Sequence, residues 1–192
     1  FETVSVRVLS GVVFVKRPPG AARASQTPPK GFVRLLGAAT IPIGSTLDTS
    51  RGRILLRSAA DTSRRTQSGQ FFLGTFRIRQ LRKPRGTSRR RPRGLITDLT
   101  LSGSSFASTC RAQASQRRSK RRVRRLWGDG KGSFRTTGRH AAATVRGTRW
   151  LVEDRCDGTL VRVSRGRVAV RDLRRGRTVL VRAGHSYLAR SR

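Results

Sequence analysis

Apolar and polar residues alternate along the last third of the chain, from residue 132 to residue 190. Val161, Val163, Val168 and Val170 are separated by arginine, serine or alanine, and turns that contain glycine interrupt the alternation about every eight to twelve residues. A spacing of two residues between apolar positions is typical of half-buried β-strands. The sequence therefore predicts an all-β protein of short antiparallel strands, arranged as a β-meander, a sandwich or a short solenoid.

The sequence before residue 132 also predicts an all-β fold. Residues 3–8 and 11–15 are expected to form a hairpin, and further strands are expected at residues 32–36, 41–48, 53–57, 70–75, 76–80, 95–101 and 186–190. Two lobes are predicted, at residues 1–80 and 132–192, with residues 81–131 between them carrying one strand and two basic insertions. Whether the lobes share one sheet is left open by the sequence.

One segment, residues 111–126, allows a helix. Its apolar positions are few, and nearly all of its charges have the same sign, so side chains at helical spacing repel one another. At most one short basic helix is therefore expected, and a solvated basic loop is the equal alternative for this segment.

Motifs near the C-terminus carry a family resemblance. A strand at residues 142–145 leads to Arg146-Gly147-Thr148, a second strand at 150–152 leads to an Asp157-Gly158-Thr159 turn, a hairpin of G-x-V-x-V type follows at 166–170, and Val181-Arg182-Ala183-Gly184 closes the series. In this order, these elements resemble the FecR family. The resemblance implies a stand-alone secreted or surface β-domain, from which the basic stretches 81–93 and 111–125 depart as insertions. It assigns structural motif roles to Arg146, Gly147, Thr148, Gly158, Gly166 and Gly184.

Positive charge dominates the composition. Lysine and arginine number 44 against nine acidic residues, for a formal net charge of +35, and five of the 44 are lysines, which leaves 39 arginines. Such a charge opposes a compact monomer and attracts polyanions. Guanidinium groups bind phosphate, sulfate and carboxylate in a bidentate manner. An arginine-rich genome would explain the same bias without any binding role, and this alternative stays open.

The basic insertions are the candidate binding sites for an anionic polymer, since prolines at positions 84 and 92 favour an exposed loop and the second insertion has little apolar surface to bury. The residues predicted to contact the polymer are Arg89, Arg90, Arg91, Arg93, Arg117, Arg118, Arg121, Arg122, Arg124 and Arg125.

Two cysteines, Cys110 and Cys156, lie at the edges of predicted strands in basic surroundings. This setting favours a disulfide in an exported protein, and two free cytosolic thiols are the alternative. The chain contains no methionine and begins directly in a predicted strand, so a processed product is expected. No apolar run approaches the roughly 20 residues of a membrane span. An extracytoplasmic, secreted or cell-surface location is predicted.

Catalytic chemistry is not indicated. His140 and His185 have no carboxylate spaced to orient them, and the two histidines and two cysteines lack the spacing of a zinc site. Glu153, Asp154 and Asp157 cluster in one turn, where pairing with arginines such as Arg149 or Arg155 is the expected role. The glycine-rich run 128–133 lacks the strand before it and the helix after it that a phosphate-binding loop needs. A non-enzymatic protein without metal or cofactor is predicted.

Four functions fit these features to different degrees. The first is a module that binds an anionic polymer such as cell-wall polysaccharide, teichoic acid or extracellular DNA. The second is a structural subunit of a fibre or surface layer, a homo-oligomer joined through strand edges at residues 3–8 and 186–190. The third, implied by the family resemblance, is a surface-signalling sensor. The fourth is an intracellular nucleic-acid or ribosome-associated protein, which is disfavoured because the basic runs lack interleaved aromatic residues apart from Trp127.

Overall fold

The architecture is nearly all β, as predicted. In this computed structural model, residues 2–20, 31–63, 65–83, 94–110, 119–145 and 147–191 are described. They contain fifteen strands and one short helix, α1. The elements are β1 Thr3–Lys16, β2 Val33–Arg34, β3 Ala38–Pro42, β4 Thr46–Ala59, β5 Thr66–Phe72, β6 Thr75–Arg82, β7 Leu95–Leu101, α1 Phe106–Cys110, β8 Arg122–Lys131, β9 Phe134–Thr137, β10 Ala141–Val145, β11 Thr148–Arg155, β12 Gly158–Arg165, β13 Arg167–Asp172, β14 Thr178–Arg182 and β15 Ser186–Arg190.

A single sheet contains all fifteen strands. Its main path runs β14-β13-β10-β9-β7-β6-β4-β5-β8-β11-β12-β15, and β1 pairs with β4 on one edge and with β2 and β3 on the other. Neighbours are antiparallel except β7 and β9, which are parallel. Strands from all three predicted segments of the chain therefore share one sheet, because β5 pairs with β8 and β8 pairs with β11.

The sheet folds back on itself into two layers that enclose one core. The first layer contains β6, β7, β9, β10, β13 and β14, and the second contains β5, β8, β11, β12 and β15. Strand β4 joins them, since Thr46–Asp48 pairs with β6 and Arg53–Ala59 pairs with β5. Strands β11 and β12 lie across the core from β10 and β13. Of the predicted arrangements, the sandwich describes this packing best.

The core draws on every part of the sheet, because period-two alternation points one side of each strand inward. Its largest fully buried side chains are Trp150, Phe71, Phe76, Phe134, Ile41, Leu47, Ile54, Leu56, Ile78, Leu99 and Leu126. Trp150 and Phe71 come from the second layer and Phe134 and Phe76 from the first, so the aromatic residues hold the two layers together.

The predicted hairpin at residues 3–15 is wrong. Residues 3–16 form the single strand β1, which pairs with β4 along most of its length. Strand β4 is likewise one strand, where the sequence predicts two, at residues 41–48 and 53–57. The misleading residues are Gly11 and Gly52, which are direct cross-strand partners. A Cβ on Gly11 would lie 2.1 Å from the carbonyl oxygen of Arg51, and φ at Gly11 is +70°. These glycines allow a close, irregular backbone approach within paired strands rather than a chain reversal.

The helix considered at residues 111–126 is also wrong in its described part. Residues 111–118 lie outside the described residues, and β8 begins at Arg122. Val123 and Leu126, both in this strand, are buried. Strand β8 pairs with β5 on one edge and with β11 on the other, and these backbone hydrogen bonds stabilise the strand more than the weak helix propensity of the segment could stabilise a helix. The one described helix, α1, carries no basic residue in its last turn.

The turn at Gly166 does not close the predicted hairpin. Strand β12 pairs with β11 and β15, whereas β13 pairs with β10 and β14, so the chain crosses from the second layer to the first at this glycine. Gly166 has φ of +80°, and a Cβ there would lie 2.7 Å from Thr148 Cγ2. A glycine turn between two alternating strands therefore marks a sandwich corner here.

Candidate polyanion-binding surface

The predicted contact residues divide into two groups. Arg89, Arg90, Arg91, Arg93, Arg117 and Arg118 lie outside the described residues, as does Arg146 of the family motif. Arg121 directly precedes β8, and Arg122, Arg124 and Arg125 lie in its first four residues, near the disulfide and α1.

Arg124 has a structural environment. Its Nη1 donates to the carbonyl oxygen of Leu101 at 3.2 Å, and its Nη2 lies 3.3 Å from Asp154 Oδ2. The Arg124 side chain is 20% exposed, and that of Asp154 is fully buried. The guanidinium also lies 4.8 Å from the centre of the Phe106 ring, and Arg139 lies 4.5 Å from the same ring. Most of the charge of Arg124 is therefore used inside the fold.

The other three arginines of this group are more available to a partner. Arg121 is exposed, and the Arg122 side chain is 52% exposed with its Nη1 3.8 Å from Glu153 Oε2. Arg125 is half-buried and lies directly across from Glu153 in the β8–β11 pair. A long, exposed ion pair such as Arg122–Glu153 contributes little stability, so an anionic ligand can compete for this arginine.

The acidic residues are occupied within the fold. Six of the chain's nine carboxylates form ion pairs among the described residues, each with a different arginine. Two more accept hydrogen bonds, Asp48 from Ser50 and Thr75, and Asp172 from Tyr187. The excess arginines therefore have almost no acidic side chains left to neutralise them.

Asp61 illustrates this use of carboxylates. It is buried, it accepts hydrogen bonds from the backbone and hydroxyl of Ser63, and it lies 2.5 Å from Arg65 Nε. The Ser63 hydroxyl, with further help from Arg65, lowers the pKa of Asp61 from 3.8 to about 2, although burial opposes the shift. This carboxylate is charged across the whole physiological range.

The predicted ion pairing of the acidic turn is confirmed for Asp157, which receives two hydrogen bonds from Arg155, at 2.9 and 2.5 Å. The bidentate geometry holds the turn between β11 and β12. Arg149, the other predicted partner, instead lies over the ring of Trp127, 5.7 Å from the ring centre.

The predicted disulfide is confirmed. Cys110, the last residue of α1, is joined to Cys156, which follows β11, with their Cα atoms 5.7 Å apart. The bond closes a separation of 46 residues and holds α1 against the turn that carries Asp157. The described residues on either side of residues 111–118 are therefore tied to the sheet, Cys110 through the disulfide and Arg122 as the first residue of β8.

A row of side chains that sequence analysis missed lies on the outer face of the second layer. Arg53 on β4, Phe72 on β5 and Trp127 on β8 are cross-strand neighbours. The Arg53 guanidinium is 4.0 Å from the Phe72 ring centre, and the rings of Phe72 and Trp127 are parallel within 4°, with centres 6.2 Å apart. Their sequence separation hides the row, and only register could have revealed it.

The described part of the chain contains no cluster of three or more histidine, cysteine, aspartate or glutamate side chains placed to hold a metal. Burial, with the nearby Arg139, lowers the pKa of His140 below its usual value of 6.5. Nδ1 of His185 lies 3.0 Å from the carbonyl oxygen of Ala183. No helix of the described residues is long and apolar enough to cross a membrane.

Compared with known proteins, the chain matches no family model, no curated protein and no solved structure. The resemblance to the FecR family therefore stays a prediction.

Proposed function

We propose that this chain is a non-enzymatic, extracytoplasmic β-domain that binds an anionic polymer, such as cell-wall polysaccharide, teichoic acid or extracellular DNA. The observation that carries this proposal is the use of the acidic residues: at least eight of nine carboxylates form an ion pair or accept a hydrogen bond within the chain, while the net charge is +35. A surface with so much unbalanced arginine charge favours a polyanionic partner.

The geometry of the scaffold supports the same proposal. The described residues that flank both basic insertions belong to strands of one sheet or to the disulfide-bonded helix α1. Fixed attachment lowers the conformational entropy lost when a loop binds. The disulfide fits an oxidising compartment outside the cytoplasm.

The test is the salt dependence of binding. Arg121→Gln, Arg122→Gln and Arg125→Gln are combined in one variant, and Arg89, Arg90, Arg91 and Arg93 are replaced with glutamine in another. The slope of log affinity against log salt, measured with single-stranded DNA and with polygalacturonate, should decrease in both variants because each lost phosphate contact lowers the slope on DNA by roughly 0.7.

A charge-matched control distinguishes a site from a general charge effect. Arg167, Arg171 and Arg182 are exposed on the first layer, and replacing all three with glutamine removes the same charge as the first variant. A smaller decrease in this control supports the assigned segments. Equal decreases in all variants would show that net charge alone drives binding, and absence of any binding would refute the proposal.

A structural subunit is the second candidate, and one observation favours it. Strands β14 and β15 end the sheet path, and Leu180 on β14 is 56% exposed, so this end of the sheet offers apolar surface to a second copy. The other edge predicted for assembly, residues 3–8, is wrong, because Thr3–Arg7 pairs with β3 on one side and Ser5–Val8 pairs with β4 on the other. Light scattering of polyanion-free protein from low to high salt separates the candidates: particles that grow as salt screens repulsion indicate a subunit, and a monomer throughout indicates a binding module.

A further inference from the structure

A groove lies on the outer face of the sheet beside the row formed by Arg53, Phe72 and Trp127. Its volume is about 390 Å³, and β1, β3 and β4 supply its walls. Its lining includes Ser5, Arg7, Ala38, Thr40, Leu55 and Arg57.

Positive charge in this groove is uncompensated. Arg7 and Arg57 are exposed, and neither has an ion pair or hydrogen-bonded carboxylate among the described residues. Arg7 lies opposite Leu55, and Arg57 lies two residues further along β4. Diagonal neighbours of this kind are about 7–8 Å apart in an antiparallel pair, so two long guanidinium side chains can converge on one oxyanion.

Small side chains leave room for such a group. Ser5 and Thr40 lie directly opposite one another on β1 and β3, both exposed, and Ala38 lies opposite Arg7. Two hydroxyl groups next to two guanidinium groups form a set of donors suited to a phosphate, which offers several acceptor oxygens.

The groove continues into the aromatic row. Arg53 lies two residues before Leu55 on β4, so the alternation of side chains places both on the outer face. Arg53 is fixed by stacking on Phe72 and by a hydrogen bond of 3.2 Å from its Nη1 to Gln70 Oε1. Arg149 lies over the ring of Trp127 at the other end. A stacked guanidinium keeps its N–H groups in its own plane, where phosphate oxygens can reach them.

We propose that the outer face of β3, β1, β4, β5, β8 and β11 binds single-stranded nucleic acid. The groove between Arg7 and Arg57 holds a backbone phosphate, and neighbouring bases stack on the Trp127 ring and on the guanidinium planes of Arg53 and Arg149. Basic grooves combined with aromatic and arginine stacking surfaces are how proteins bind single strands without sequence preference. This inference rests on the proposed polyanion binding and names its polymer.

Other polyanions fit this face less well. A polyuronate supplies carboxylates for Arg7 and Arg57 but no planar bases for the aromatic row. Duplex DNA buries its bases, and its major groove of about 12 Å admits a helix or a two-stranded ribbon, not a face six strands wide at about 4.8 Å per strand. The basic runs lack interleaved aromatic residues apart from Trp127, which disfavours a single-strand binder on sequence alone. The β5–β8 register places a second aromatic residue, Phe72, beside Trp127.

The test measures binding of the full chain to a thymidine 20-mer, inorganic polyphosphate of equal charge, polygalacturonate and duplex DNA, with tryptophan emission as a second readout. Trp150 is fully buried, so a ligand on the outer face should quench Trp127 selectively. We expect the 20-mer to quench emission and to bind at least fivefold more tightly than polyphosphate, the lower end of what one stacked base contributes.

Variants locate the site. Arg7→Gln with Arg57→Gln, and separately Trp127→Leu, should each weaken binding of the 20-mer at least fivefold, and Trp127→Leu should leave polyphosphate binding unchanged. The control is Arg167→Gln with Arg182→Gln, two exposed arginines that face each other on β13 and β14. Should Trp127→Leu fail to fold, Arg53→Gln with Arg149→Gln removes the stacking cations and should weaken the 20-mer more than polyphosphate.

The remaining outcomes overturn the inference in distinguishable ways. Equal affinity for the 20-mer and polyphosphate, without quenching of tryptophan emission, would refute base stacking on this face. The proposed function, binding of polyanions through charge, would still stand. Preference for polygalacturonate makes the polymer a polysaccharide, and preference for duplex DNA removes the single-strand assignment. Absence of binding to all four probes removes both this inference and the proposed function.

Discussion

Two aromatic groups on opposite sides of the second layer differ in how their rings meet. On the inner side, Phe71 lies 5.3 Å from Phe134 and 6.0 Å from Trp150, at interplanar angles of 64° and 77°. On the outer side, Phe72 and Trp127 are parallel within 4°. Phe71 and Phe72 are adjacent in sequence, so one step along β5 separates a ring packed among rings from a ring covered by arginine.

The difference follows from what each face of the sheet meets. Inside, neighbouring rings pack edge to face because their quadrupoles favour that arrangement. Outside, the ring faces are available to guanidinium groups, which the negative face of a ring attracts. Inner rings therefore determine stability, and the outer rings hold cations in place at the surface.

The largest expected effect separates the two tryptophans. Trp150→Ala should lower the free energy of unfolding by about 3–5 kcal/mol, because it empties a fully buried site that joins the layers. Trp127→Ala should lower it by about 0.5–1.5 kcal/mol, the contribution of an aromatic pair. Urea unfolding followed by circular dichroism measures both. Similar losses in the two variants would remove the distinction between inner and outer rings.

Removal of the disulfide should lower the free energy of unfolding about as much as Trp150→Ala, without changing the contrast between the inner and outer faces of the second layer. Cys110→Ser with Cys156→Ser should lower the free energy of unfolding by about 4 kcal/mol, since a separation of 46 residues is no longer closed in the unfolded chain. The same unfolding assay applies, with the reduced wild-type chain as control. We expect the variant to be less stable but to bind the 20-mer with the same quenching of Trp127 emission. Loss of this quenching in a folded variant would show that the disulfide shapes the outer face.

A smaller effect is expected from the polar contact inside the aromatic core. Trp150 Nε1 donates to Thr136 Oγ1 at 3.0 Å, and both residues are fully buried. Thr136→Val keeps the shape and leaves the indole N–H without this acceptor, so we expect a loss of about 1–3 kcal/mol. The matched comparison is Thr137→Val. This substitution removes a hydroxyl on the outer side of the same strand, which donates a hydrogen bond to Asp98. An unchanged midpoint for Thr136→Val would show that the buried indole finds another partner.

The mildest change is a shift of pH, which acts on neither aromatic group. Asp61 has a pKa of about 2 in the fold and 3.8 when unperturbed, so the unfolded chain binds more protons between these values. Its stabilisation is present above about pH 4 and is lost as pH falls toward 2. Thermal unfolding at pH 5, 4, 3 and 2 should show this loss in the wild type and a smaller one in Asp61→Asn, while the difference between Trp150→Ala and Trp127→Ala stays constant. A steeper loss in Asp61→Asn would contradict the assignment.

Local alternation predicted the class of the fold and several strands closely. Strands β7 and β15 coincide with the predicted 95–101 and 186–190. Glycines were the main source of error, because the same residue serves a turn, a corner or a close approach within a strand. Gly11 and Gly52 lie where the predicted strands are interrupted, yet they are partners within one ladder, and Gly166, which begins the predicted hairpin, lies at a corner between layers.

The candidate sites show the same limit. Charge and composition indicated a polyanion partner and placed it on contiguous arginine runs, and the cysteine pair was found from its setting. Arg124 belongs to such a run, yet its guanidinium is held by Asp154 and Phe106. No run contains Arg7, Arg57 or Arg53, because these residues meet only through strand pairing.

By itself, the sequence determined the all-β class, the disulfide and the excess of positive charge, since alternation, cysteine setting and composition are local or additive properties. The tertiary structure alone decided the strand order, the folding of one sheet into two layers, and which arginines stack on rings or remain unpaired. Those features depend on register between strands far apart in the chain, such as β1 with β4 and β5 with β8. Register is fixed by packing of the whole core, which no local pattern encodes.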